Sequence, residues 1–212
     1  MVDASGYTVL SPELIVETAL EIADREGLDA VSMRRVAAEL QCAAMSLYGH
    51  VASKDELLDR LADHVIGTVP ETAPALPWQD AMVEFFTALH AALIAHPAVA
   101  QVVTQRPTVG PHTQRHGAHA LELLRRAGLS DRLAVDAFIA LSCYTIGAAI
   151  YTASRTGPRA DDPRFAGLGL PADDEPDAIA RLRPYLAERS SREQFRSGLE
   201  HLVRGYAADA HP

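Results

Sequence analysis

An all-α fold is what this 212-residue chain predicts, and three observations carry the prediction. Apolar residues recur at helical spacing, as at Ile15, Ala19, Ile22 and Ala23, which sets them on one stripe of a 3.6-residue helix. No stretch shows the sustained two-residue alternation, rich in Val, Ile and Thr, that marks a half-buried strand. Capping residues and glycine or proline stops bracket the periodic segments. Two helices joined by a turn with supporting helices near the N-terminus, and further helices beyond a proline-rich linker, predict an N-terminal three-helix headpiece with a helix-turn-helix and then a C-terminal helical bundle.

The first helix starts at Ser11 as cap, with Pro12 in the first turn and Glu13 facing the helix dipole. Gly27 stops it. Ser32 caps a second helix whose inner face is Met33, Val36, Ala37 and Leu40. A turn at Gln41-Cys42 leads to a short third helix around 44–49. The fourth begins with the capping box Ser53-Lys54-Asp55-Glu56, has Ala52 and Leu57 at the staple positions, and runs to about Thr68. Two helices joined by a four-residue turn, supported on each side, are helix-turn-helix organisation. Residues 69–77 hold three prolines and read as a linker, which divides the chain into domains at 1–66 and 67–212.

Beyond the linker, helices are expected over 78–95, 98–104 and 110–127, the last stopped by Gly128. Ser130-Asp131 opens the most apolar segment, 133–153. Residues 154–176 contain four prolines and three glycines and read as a crossover loop. Helices at 177–188 and 191–208 close the chain. No apolar run approaches a membrane span, no secretory leader is visible, and Cys42 with Cys143 is no disulfide framework, so a cytoplasmic protein is expected.

A net charge of −9 argues against a nucleic-acid partner at first sight. The distribution changes that reading. Residues 1–31 hold seven acidic residues against Arg25, whereas Arg34, Arg35 and Lys54 against Glu39 give 32–54 a net +2. Binding follows the potential at the contact surface, not the total charge. The segment also carries the chain's one lysine, Lys54, at a helix start beside Tyr48 and His50. Three donors suited to phosphate, between flanking helices, point to a DNA-reading element.

Leu47-Tyr48-Gly49-His50 and Lys54-Asp55-Glu56-Leu57-Leu58 resemble the signature of the tetracycline-repressor (TetR) family of bacterial transcription regulators, over about residues 11–66. The rest is similar, more weakly, to that family's all-helical ligand-binding and dimerisation half, with Trp78-Gln79-Asp80 and Arg106-Pro107-Thr108 in matching places. The resemblance implies that Arg34 reaches a guanine edge, that Ala44, Met45 and Gly49 line the groove side, and that Ser46, Tyr48, His50 and Lys54 clamp phosphates. It implies no cofactor and no catalysis. The chain departs from the family at Gln41-Cys42, where Gly-Val is usual, and at Ala43, where a Ser or Thr cap is usual. Val102 stands where the family's founding repressor has a metal-ligating histidine, which disfavours a tetracycline–magnesium effector.

In the C-terminal part, Trp78, Met82, Phe85, Phe86, Leu89, His90, Gln105, Arg106, His116, Tyr144 and Tyr151 are candidates to line a small-molecule effector cavity; an ordinary core explains each one singly as well. Helices 133–153 and 191–208, the latter striped by Phe195, Leu199, Leu202, Val203 and Tyr206, are expected to form a four-helix homodimer interface. His112, His116 and His119 share one helical face at a spacing that suits a transition metal, without a carboxylate or cysteine to complete a set. The expectation is therefore a homodimeric repressor of a palindromic double-stranded operator, released by an effector. A metal-binding helical enzyme built on the histidine row, and a helical interaction protein without DNA binding, stand as alternatives.

Overall fold

The computed structural model describes residues 10–156, 177, 180, 181 and 192–210. Most of the expected helix at 177–188 and most of the 154–176 crossover lie outside the described residues. Nine α-helices are described: α1 (Pro12–Glu26), α2 (Met33–Glu39), α3 (Ala44–Leu47), α4 (Lys54–Gly67), α5 (Trp78–Ala95), α6 (Pro97–Gln105), α7 (Pro111–Arg126), α8 (Asp131–Thr156) and α9 (Arg192–Ala208), with a 3-10 turn at Leu28–Ala30 after α1. No strand occurs among the described residues. The all-α prediction holds, and the boundaries expected for the nine described helices hold to within about three residues.

Local chemistry sets these boundaries. The Ser11 hydroxyl accepts from the Leu14 amide at 3.2 Å, and Ser32 caps α2 by accepting from Arg35 at 3.2 Å, each satisfying an amide that the helix cannot. Gly27 ends α1 at φ 88°, its amide bonded to the Ala23 carbonyl at 2.9 Å, a conformation that costs glycine nothing. At α4 the Ser53 hydroxyl accepts from Glu56 N at 3.1 Å, while Glu56 Oε2 accepts from Ala52 N at 2.7 Å. The reciprocal bond thus lands one residue earlier than an ideal capping box. The staple moves likewise: Ala52 is exposed, and fully buried Val51 takes the inward position. Its amide bonds to the Leu47 carbonyl at 2.9 Å, which ties it to the end of α3.

The chain forms two compact units, one of Met1–Pro70 with Ala95–His119, the other of Glu71–Ile94 with Ala120–Pro212. In the first, α1 packs on α2, α4 and α6, and α4 packs on α6. Ile15, Ala19, Ile22, Val36, Leu47, Leu57, Leu61 and Val99 are buried there. Asp63 on α4 is also buried, at 5% exposure, and serves the start of α7. Its carboxylate accepts from Thr113 N and Thr113 Oγ1 at 2.8 Å each and from His112 N at 3.3 Å. Gly110 lies so close to that carboxylate that no side chain fits. At the other end of α4, Arg106 pairs with Asp55 and Asp59, both at 3.2 Å.

In the second unit α8 packs on α9, where Gly198 leaves room for the Tyr144 hydroxyl. Met82, Phe86, Leu93, Leu124, Leu141 and Leu199 form the centre of its core. Asp131–Ser154 of α8 is long and apolar enough, by length and composition, to cross a membrane. That corrects the expectation that no run approaches a span. The apolar character is spread among alanines and hydroxyl residues, so no continuous run announces it. Only 28% of its most apolar window is buried in the monomer, and Val135, Ile139 and Tyr151 are exposed.

Candidate functional site

The site at the N-terminal end is built by a helix stop. At the end of α2 the Cys42 amide bonds to the Ala37 carbonyl at 3.0 Å and the Gln41 amide to Ala38 at 3.2 Å. This pair of bonds is a Schellman motif. It forces Gln41 to φ 54°, and Gln41 is the one non-glycine at positive φ among the described residues. The departure read from the sequence is therefore a place of backbone strain, on the order of 1 kcal/mol for a residue with a Cβ. The chain keeps the turn in spite of the glutamine.

Ala43 precedes α3 in extended conformation and gives no side-chain cap. What holds this four-residue helix is Leu47, fully buried, whose carbonyl accepts from both His50 N and Val51 N at 2.9 Å. With Leu47 inward, the helical repeat turns its neighbours out. Met45 is 77% exposed and Tyr48 47% exposed, high values for large apolar side chains. Ser46 and Gly49 are exposed with them, and Ala44 and His50 are half-buried. Lys54 opens α4, exposed, one residue after the Ser53 cap.

The two arginines of α2 part company. Arg35 is held between Glu26 at 2.7 Å and Glu39 at 2.6 Å, and Arg25 closes the network through the same two glutamates. The Arg35 and Arg25 guanidinium groups drag the Glu26 carboxyl down to about 2. Arg34 is exposed and makes no ion pair among the described residues. The structure thus brings Arg34, Met45, Ser46, Tyr48, Gly49 and Lys54 to exposed positions around the turn and α3, and engages Arg35 elsewhere. The resemblance singled out Arg34, but nothing in the residues themselves set Arg35 apart, because its partner Glu26 is nine residues away on another helix.

The C-terminal candidates divide between the units. Gln105, Arg106 and His116 belong to the first. There Gln105 is exposed, Arg106 is occupied by α4, and His116 is buried at 4% exposure. The others belong to the second unit, where Met82, Phe85, Phe86 and His90 are buried, Trp78, Leu89 and Tyr144 half-buried, and Tyr151 exposed. Three rings stack in series: His90 on Phe195 at 3.7 Å and 7°, and Phe195 on Tyr144 at 5.3 Å and 10°. The Tyr144 hydroxyl donates to the Phe195 carbonyl at 3.2 Å, and burial pushes its pKa up. An open cleft of about 680 Å³ between α8 and α9 is walled by Tyr144, Ala148, Tyr151, Phe195 and Gly198.

His112, His116 and His119 do not gather. His112 packs its ring on Gly67, at 2.8 Å from where a Cβ would stand, His116 turns inward and His119 outward. Among the described residues no group of three His, Cys, Asp or Glu side chains is placed to hold a metal ion. Two residues escaped the sequence reading. Asp63 had one available signal, a carboxylate amid the buried positions Leu61, Ala62, Val65 and Ile66 of α4. Thr87 had none.

Comparison with known proteins fits this geometry. Residues 15–61 match the family model for bacterial regulatory proteins of the tetR family, and residues 70–209 match the tetracyclin repressor-like C-terminal domain. The chain is 40% identical over 144 residues to the HTH-type transcriptional repressor DrrR1 of Streptomyces coeruleorubidus, covering 66% of this chain and 53% of that protein. It spans 53–59% of the length of the first curated relatives it matches. Among solved structures, ActR of Streptomyces coelicolor in complex with (S)-DNPA is 36% identical at TM-score 0.79, over 96% of this chain and 100% of that one. BioQ with its double-stranded DNA operator is 27% identical at TM-score 0.69, over 94% and 99%. The chain belongs to the tetracycline-repressor (TetR) family of bacterial transcriptional regulators.

Proposed function

We propose that the chain is a homodimeric, cytoplasmic repressor, without enzymatic activity, that binds a palindromic double-stranded operator and leaves it when a small effector binds. Residues 1–66 are the DNA-binding part and 67–212 the effector-binding and dimerisation part. The observation that carries the reading is the exposed face around α3. A short helix anchored by buried Leu47 offers Met45 and Tyr48 to solvent, with Arg34 before it and Lys54 after it. Tyr48, His50, Ser46 and Lys54 hold phosphates and set register, Arg34 reads a guanine edge, and Ala44, Met45 and Gly49 meet the groove, thymine methyls included. BioQ, solved with its operator, supports the partner.

Dimerisation has its own physical argument. The 26-residue α8 leaves Val135, Ile139 and Tyr151 exposed, and Tyr151 also walls the cleft against α9. Pairing α8 and α9 with their symmetry mates removes that apolar surface from water, and two paired headpieces read two half-sites. The aromatic core of the second unit, with Met82, Phe85, Phe86, His90 and Tyr144, is the effector's place. ActR, solved with (S)-DNPA and with actinorhodin, supports a ligand-responsive regulator. An effector that prefers one headpiece spacing releases DNA in proportion to that preference. Mobility shift with DNA upstream of the chain's own gene tests the proposal. Sequence-dependent retardation, with a complex of two protomers, is the expected result; equal binding to scrambled DNA overturns it.

A further inference from the structure

We infer that Thr87 and His90, on one face of α5, form a hydrogen-bonding site for a neutral, hydroxyl-bearing aromatic molecule. The inference rests on the effector reading above and gives that effector a chemical class.

Two buried polar atoms have no hydrogen-bond partner here, Thr87 Oγ1 and His90 Nε2. They lie three residues apart on one helix, so they share a face about one turn apart. Folded proteins pair nearly all such atoms, because a buried polar group without a partner keeps the full cost of its lost hydration. Two on one face call for a partner that arrives.

The state of His90 says what that partner must supply. Its residue is 1% exposed, and one ring face is covered by Phe195 at 3.7 Å. The ring is hydrogen-bonded to the Ala148 carbonyl, and a carbonyl only accepts. Since Nε2 is the unpartnered nitrogen, Nδ1 carries the donated proton. Burial holds the imidazole neutral, with its pKa down at about 4. Nε2 therefore presents a bare lone pair and requires an O–H or N–H donor. Thr87 Oγ1 both donates and accepts, so one hydroxyl satisfies both residues.

Charge and shape narrow the class. The positive charge of Arg192 acts on His90, and a cation in this apolar interior meets both repulsion and desolvation. On the same helix Met82, Phe86 and Leu93 are each at most 1% exposed, and the Phe86 and Phe138 rings lie 6.3 Å apart. Aromatic side chains of this kind pack against a flat ring edge-on or offset. A phenol-like group on an aromatic body meets every one of these demands.

Matched probe pairs test the inference: 1-naphthol against naphthalene, and 2-hydroxyanthraquinone against anthraquinone. Fluorescence of Trp78, the one tryptophan in the chain, reports binding to the full-length protein. At least one hydroxylated probe should bind about tenfold more tightly than its parent, the scale of one satisfied buried hydrogen bond. His90→Phe and the near-isosteric Thr87→Val should each shrink that ratio below about threefold. Thr87→Val should melt no lower than the wild type at pH 7.5 without ligand, because it removes an unpartnered polar atom; a purely structural role lowers it. No discrimination within either pair, or a ratio unchanged in both variants, overturns the inference. Operator binding is scored separately. A chain that binds its operator yet ignores the hydroxyl refutes this site alone, whereas one that prefers the hydroxylated probe yet binds no operator refutes the regulator reading alone.

Discussion

Replacing Asp63 with alanine should destabilise the protein more than any other single polar deletion in the first unit. The carboxylate is 5% exposed and accepts from two backbone amides and one hydroxyl, Thr113 N and Oγ1 at 2.8 Å and His112 N at 3.3 Å. It acts as a cap for α7 supplied from a different helix, and it meets the positive end of the α7 dipole. A lost cap costs roughly 1 kcal/mol, and a charge at a partly buried helix end up to about 2 kcal/mol. Leaving the Thr113 amide without an acceptor costs about 1–3 kcal/mol more, overlapping with the first figure. A net loss of about 3 kcal/mol follows. At about 2–4 °C per kcal/mol for a chain of this size, the melting temperature should fall by about 6–12 °C. Asp63→Asn keeps one acceptor oxygen but loses the charge, so it should fall by about half as much. Calorimetry at fixed protomer concentration reads both values, the concentration being held because dimers melt later when more concentrated. An Asp63→Ala protein melting within 2 °C of the wild type would refute the reasoning.

Gln41→Gly should raise stability by about 0.5–1 kcal/mol, the relief at φ 54° outweighing the added freedom of the unfolded chain; a lower denaturation midpoint in urea would contradict it. Lys54→Ala should weaken operator binding uniformly across sequences and reduce the salt slope by about 1, whereas Arg34→Ala should cost about 1–3 kcal/mol and relax preference at one base pair. Identical salt slopes and unchanged preference in quantitative footprinting would deny both roles. His90 gives a pH dependence whose sign follows from its folded pKa of about 4 against an ordinary 6.5. Between those values the unfolded chain takes up a proton that the folded chain refuses, so stability present above pH 6.5 is lost as pH falls toward 4, by up to about 3 kcal/mol. Melting curves of wild type and His90→Phe across that window should diverge at the acid end, and parallel curves would remove the argument.

Much of this protein was legible in local chemistry. Ser11, Ser32 and Ser53 announce three helix starts because each cap bond spans three residues, and Gly27 announces a stop for an equally local reason. The helix-turn-helix could be read because Leu47-Tyr48-Gly49-His50 and Lys54 lie within one short segment, and even the weakness at Gln41 was visible as a residue unsuited to positive φ. Those signals are complete within a few positions of sequence, so folding adds little to them.

What folding alone decided are relations between distant residues. Arg34 and Arg35 are neighbours of identical chemistry; only the approach of Glu26 and Glu39 commits Arg35 and leaves Arg34 exposed. Arg106, expected at an effector cavity, pairs with Asp55 and Asp59 some fifty residues away. The histidine row has a helical period that a metal site would use, yet burial sends His116 inward and His119 outward. Thr87 and His90 carry no motif, and it is Phe195 of α9 stacked on the His90 ring and Ala148 of α8 bonded to it that enclose that histidine. The sequence therefore determined the helices, the caps and the DNA-binding signature, since each rests on short-range hydrogen bonding and periodicity. Tertiary structure decided which charges stay free and which polar atoms lie buried without partners, since both depend on side chains brought together from far apart in the chain.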